Sequence, residues 1–159
     1  MIIDKINRSN RQSIGFTLIE LLVVMGIMAV LAALSLFALQ GARESARDAQ
    51  RRADLETIRS GLELYKADCN QYPSSSGGNV ATVLGSSLTG GGPPPASCVA
   101  TNVYIAEVPN DPVSGKYYYY ESGGANNQSY SLCTFLEGGG TASCGSCGGV
   151  TCNYEVKNP

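Results

Sequence analysis

An α+β fold, with one long N-terminal α-helix laid on a small disulfide-stapled antiparallel β-sheet, is predicted by three observations. Residues 16–39 form an apolar run with a single charge, residues 40–69 continue at helical spacing, and six cysteines crowd a Gly/Pro-rich remainder. Together they imply a lollipop: a shaft half apolar and half amphipathic, and a small head.

The first run, FTLIELLVVMGIMAVLAALSLFAL, holds one ionisable group, Glu20, one glycine, Gly26, and no proline. As a helix its 24 residues would cover about 36 Å, enough to cross a hydrocarbon core of about 30 Å. Lys5, Arg8 and Arg11 against Asp4 precede it. That excess of cations predicts an N-terminus held in the cytoplasm and a C-terminal bulk sent across the membrane. A secretory signal peptide shares the basic start, but its apolar core is only about 7–15 residues and ends in a small-residue cleavage site. Here the glycine comes first and the run continues into another helix. A carboxylate in such a segment is costly without a partner, and the natural partner is a positive charge.

From Gln40 to Cys69, Ala42, Ala46, Ala49 and Ala53 and then Leu55, Ile58, Leu62, Tyr65 and Cys69 recur at helical spacing and predict a face laid on a core. Arg43, Arg47, Arg51, Arg52, Arg59 and Lys66, balanced by Glu44, Asp48, Asp54, Glu56, Glu63 and Asp68, predict a solvated zwitterionic face, with subunit contacts as the other use. Asn70 and Pro73 mark the stop. One helix of about 54 residues, Phe16 to Cys69, would be roughly 80 Å long.

Residues 71–159 are expected to form the head. Ser74–Pro95 reads as a loop region around an apolar patch, Val80 to Leu88, with room for one short helix. Strands are expected at about 116–122, 128–136 and 150–156. The first would alternate Tyr117 and Tyr119 against Tyr118 and Tyr120.

Export makes three disulfides the simplest use of Cys69, Cys98, Cys133, Cys144, Cys147 and Cys152, with fifteen connectivities open. The adopted reading pairs Cys69 with Cys98, Cys133 with Cys152 and Cys144 with Cys147. A four-cysteine zinc ribbon and a redox pair are the rival uses of the last four. No cofactor or metal is expected. With no histidine and no nucleophile constellation, the chain is expected to be a peptidase substrate rather than an enzyme. Removing a 15-residue leader from 159 residues leaves 144, and with its net +2 gone the net charge of −2 becomes −4. Such a mildly acidic chain gives no reason to expect nucleic-acid binding.

Gly15-Phe16-Thr17-Leu18-Ile19-Glu20, with its basic leader and apolar helix, resembles the type IV pilin and pseudopilin superfamily. The Val108-Pro109-Asn110-Asp111-Pro112 turn, followed by Gly115 and the tyrosines, resembles the approach to the sheet in major pseudopilins and related pilins. The resemblance implies cleavage between Gly15 and Phe16 by a prepilin peptidase, methylation of the new Phe16 amine, and a charge pair between Glu20 and the Phe16 amine of a neighbouring subunit. It implies partners: further copies of the chain, minor pilins, and a membrane assembly platform driven by a cytoplasmic ATPase. It also implies a location: single-pass in the cytoplasmic membrane before assembly, a surface filament afterwards. Some secretion pseudopilins hold calcium between their last strands, but residues 138–150 contain no acid, so none is expected there. Many pilus-forming members carry a proline where Phe37 stands. On this reading the chain is a pilus subunit. A pseudopilin of a type II secretion or DNA-uptake machine and a non-polymerising membrane-anchored adhesive domain are the alternatives.

Overall fold

The computed structural model describes residues 15–91 and 98–158, without the side chain of Phe37. Residues 1–14, all but the last of the expected leader, residues 92–97, which include most of the Gly/Pro run, and residue 159 lie outside the described residues. The chain divides into two compact units between Gln40 and Gly41.

Helix α1 spans Leu18–Cys69, 52 residues. Thr17 and Glu20 cap its start reciprocally: the Glu20 N–H donates to Thr17 Oγ1 at 3.3 Å, and the Thr17 N–H to the Glu20 carboxylate at 3.4 Å. This satisfies donors that a helix N-terminus otherwise leaves bare. At the other end Asn70 turns left-handed (φ 61°), and its carbonyl accepts from Gln128 Nε2 at 2.7 Å. In the first unit, the described apolar side chains of α1, from Leu18 to Leu36 and at Leu39, are uncovered.

The second unit is a head built on the later part of α1. Leu55, Ile58, Leu62, Tyr65 and Cys69 are at most 1 % exposed. Ala42, Ala46, Ala49 and Ala53 do not extend that face; all four are exposed. Counting back from Leu55 in alternate steps of three and four reaches Arg51 and Asp48 instead, and both are buried. The alanines sit two residues out of phase, about 200° around the helix.

Strands β1 (Gly78–Asn79), β4 (Tyr119–Gly123), β5 (Ser129–Thr134) and β6 (Tyr154–Lys157) form an antiparallel sheet in the order β1-β4-β5-β6. Strands β2 (Leu88–Thr89) and β3 (Val103–Ile105) form a second, two-stranded antiparallel sheet. The short helix α2, Val80–Leu84, is capped by Asn79, whose side chain accepts the Ala81 N–H at 2.9 Å. The sheet therefore has one short edge strand more than the three expected, and the two-stranded sheet is additional. These pairs are too brief to leave an alternating pattern.

The last strand begins at Tyr154 rather than near residue 150. Residues 144–152 are occupied by disulfides and by turns at Gly145, Gly148 and Gly149, all with positive φ. Tyr118 and Tyr120 point into the core, at 2 % and 0 % exposure, while Tyr117 and Tyr119 are half-buried. Strand β3 crosses α1 at Gly61, where a Cβ would fall 2.1 Å from Ile105 Cγ1. Only glycine permits that approach.

Candidate assembly and anchoring site

Gly15, Phe16 and Thr17 precede the first helical turn in an exposed segment outside regular structure. The scissile position expected after Gly15 is thus outside regular structure, and nothing lies within 4 Å of where a Gly15 Cβ would be. Glu20 stands one turn further on. Its carboxylate accepts from both the N–H and the hydroxyl of Thr17, each at 3.4 Å. Two neutral donors hold it at the helix start, where the helix dipole also favours an anion. Phe16 and Leu18 are each 88 % exposed. The N-terminal part of α1 is long and apolar enough to cross a membrane by length and composition, and its most apolar window is wholly unburied.

The head carries a second constellation, whose helix members Arg47, Asp48 and Arg51 are expected from the sequence on the solvated face and whose partners are Asp111 and Glu137. Arg51 and Asp111 side chains are each 1 % exposed, and the guanidinium donates to Asp111 at 2.8 and 3.1 Å, Asp48 at 2.9 Å and Glu137 at 2.9 Å. Arg47 pairs bidentately with Glu137, its Nε contact at 2.7 Å. Asp48 accepts the N–H groups of Glu137 and Gly138 at 2.9 and 2.8 Å. One turn of helix is thereby clamped to two loops. Burial disfavours the charge on Arg51, but Asp111, Glu137 and Asp48 more than offset it and raise its pKa. Burial opposes ionisation of Asp48 too, yet the two N–H groups and Arg51 lower its pKa. The Arg47 hydrogen bond, with Arg51, pulls Glu137 down to about 2.

Other acids expected on the outer face meet tyrosines. Tyr118 donates to Asp54 at 2.6 Å, Tyr72 and Tyr130 both donate to Glu63, at 2.9 and 3.2 Å, and Tyr104 donates to Asp68 at 3.0 Å. Burial first, and these carboxylates second, raise the pKa of Tyr72 and Tyr118. Tyr130 is raised by burial and by the charge of Glu63, and Tyr120 by burial and its tyrosine neighbours. The folded state thus holds neutral hydroxyls that ionise near pH 10 when unfolded. Stability from this source is complete below about pH 10 and is lost as pH rises through that value toward the folded pKa values. The melting temperature of the head is expected to fall steeply above about pH 10. Tyrosinate absorbance from the buried rings should appear together with unfolding; its appearance in the folded state would contradict this account.

The structure joins Cys69 to Cys98, at the end of α1. The other two expected pairs are corrected: Cys133 is bonded to Cys144 and Cys147 to Cys152. Cys133 faces Glu155 across the β5–β6 ladder, so Cys152 lies beyond the register of a cross-strand bridge. A tight turn with a Ser146–Thr151 bridge brings Cys152 to Cys147 instead. Among the described residues, Cys133, Cys144 and Glu155 have metal-ligand spacing, but both sulfurs are committed to a disulfide.

Residues 38–149 match the family model described as type II secretion system (T2SS), protein G, and residues 10–36 match the prokaryotic N-terminal methylation motif. The chain is similar to type II secretion system core protein G of Klebsiella michiganensis, at 34 % identity over 69 % of this chain and 74 % of the relative. It is similar to the proteins of the same name from Escherichia coli K12 (32 %, over 73 % and 77 %) and Pseudomonas aeruginosa (34 %, over 71 % and 77 %). No solved structure matches it significantly.

Proposed function

This chain belongs to the type II secretion system protein G family, and from that premise we propose that it is a pseudopilin, the structural subunit of a short filament in a secretion machine. The observation that carries the reading is the helix from Leu18 to Leu39, whose described apolar side chains are uncovered around one ionisable group, Glu20. Such a surface suits lipid first and the same surface of other copies afterwards. The head's match to protein G favours secretion over the surface pilus that the N-terminal motif equally allows.

In this reading the precursor sits in the cytoplasmic membrane with its N-terminus inside and its head outside. A prepilin peptidase cuts after Gly15 and methylates Phe16. An assembly platform driven by a cytoplasmic ATPase then packs the shafts, with minor subunits, into a filament. The Phe16 amine of one copy neutralises Glu20 of another. The chain acts as a scaffold, with no catalysis, cofactor or nucleic-acid contact of its own.

Intact mass of protein recovered from membranes and from sheared surface material tests this at native expression. A chain beginning at methylated Phe16, found with the membranes and absent from sheared material, is expected. Abundant sheared fibres would return the surface-pilus reading, and an uncut chain beginning at Met1 would overturn both.

A further inference from the structure

Four cysteines crowd the end of β5. Cys133, Cys147 and Cys152 are at most 1 % exposed and pack in one cluster, with the half-buried Cys144 against it. Cys147 Sγ lies 3.8 Å from the Cys133 carbonyl, so the two disulfides are neighbours. Of the four sulfurs, that of Cys144 belongs to the residue an outside reagent can reach. A carboxylate oxygen of Glu155 and the sulfurs of Cys133 and Cys144 lie within 4.8 Å of one another. Glu155 is held there by the Ser131 hydroxyl at 2.8 Å and Lys157 at 3.3 Å.

We propose that Cys133–Cys144 is an exchangeable disulfide, opened at Cys144 by a dithiol and relayed to Cys147–Cys152, with Glu155 as the charge that slows its opening. The partner class is a dithiol oxidoreductase acting on the exported head. A thiolate of the dithiol attacks Cys144 Sγ; a mixed disulfide forms and the electron pair of the broken bond leaves on Cys133. The Cys133 thiolate attacks Cys147 Sγ, and Cys152 departs with that electron pair and takes a proton from water. The dithiol's second thiol, as its thiolate, then attacks its own sulfur in the mixed disulfide and frees Cys144. The dithiol loses two electrons and two protons, and the chain gains two thiols, at Cys144 and Cys152. Attack by an anion and departure of an anion are both disfavoured beside Glu155.

The relay reaches beyond the cysteines. The loop closed by Cys133–Cys144 carries Glu137 and Gly138, which hold Asp48, Arg47 and Arg51 on α1. Moving the bond to Cys147 lengthens that closure from a separation of 11 residues to 14 and slackens the loop's hold on the helix.

Full-length chain in detergent micelles, treated with limiting dithiothreitol, quenched in acid, alkylated with N-ethylmaleimide and mapped by peptide mass, tests the proposal. The species reduced by two electrons should carry label on Cys144 and Cys152, with Cys133 bonded to Cys147. Label on Cys133 and Cys144, or on Cys147 and Cys152, would overturn the relay. Glu155→Gln should open about three- to tenfold faster with the same labelling pattern; an unchanged or slower rate would remove Glu155 from the account. In a Cys147→Ser/Cys152→Ser double variant, label should fall on Cys133 and Cys144 at the parent's initial rate. A rate below about a tenth of the parent's would mean that opening does not begin at Cys144.

Discussion

Replacing the buried Arg51 with methionine is expected to destabilise the head by about 3–5 kcal/mol. Methionine keeps the helix propensity and much of the stem's volume. What it removes is the only guanidinium that contacts Asp111 among the described residues, and the Asp111 side chain, 1 % exposed, would be left buried without its ionic partner. Asp48 would keep its two N–H donors and Glu137 would keep Arg47, so the loss falls mainly on Asp111. Thermal and urea unfolding of the detergent-solubilised chain, followed by tyrosine fluorescence, measures it. A second variant, Arg51→Met with Asp111→Asn, should recover part of the loss because the stranded charge is gone. Equal instability of single and double variants, or a single-variant loss below about 1 kcal/mol, would contradict the clamp.

The second large effect is on assembly. Glu20→Ala is expected to leave cleavage after Gly15 intact and to reduce assembled filament by about a hundredfold or more in a background lacking the parent chain. The estimate follows from stranding the Phe16 amine at about 3–5 kcal/mol, with 1.4 kcal/mol to each tenfold. Glu20→Gln separates the two jobs of this side chain. Glutamine can still accept from the Thr17 N–H, as the carboxylate does at 3.4 Å, but brings no charge. Immunoblots of crosslinked membrane fractions should show Glu20→Gln as deficient as Glu20→Ala. Parental levels of filament in either variant would show that capping, or neither function, is what assembly requires.

The parts of this molecule that were legible in the sequence are those that repeat or stand in a contiguous motif. The Phe16–Glu20 motif and the apolar run are each unbroken, and the Leu55 to Cys69 series keeps one phase over four turns. Charge, by contrast, misled. Arg51 and Asp48 read as solvent-facing because charged side chains are rarely buried unless paired. Their partners, Asp111 and Glu137, come from loops 60 and 86 residues from Arg51, a separation that no local pattern encodes. The phase of the leucines did point to Arg51 and Asp48; following it past residue 55, instead of switching to the alanines, would have found them. The cysteine pairs failed for a related reason: Gly145, Gly148 and Gly149 allow turns tight enough to close a five-residue bridge, and linear spacing does not show how such turns aim their sulfurs.

Within the head, α1 is fastened near both extremities. The Arg51 cluster grips it at one end; the Cys69–Cys98 bond and the Gln128–Asn70 contact grip it at the other, about 27 Å away along the axis. Tension applied along this helix therefore loads the fastenings and the intervening leucine contacts side by side, in shear, rather than peeling them one after another. Rupture demands that ionic, covalent and apolar links yield together. The head is in this way built as a riveted lap joint, and cutting the Cys69–Cys98 rivet would turn shearing into peeling from that end.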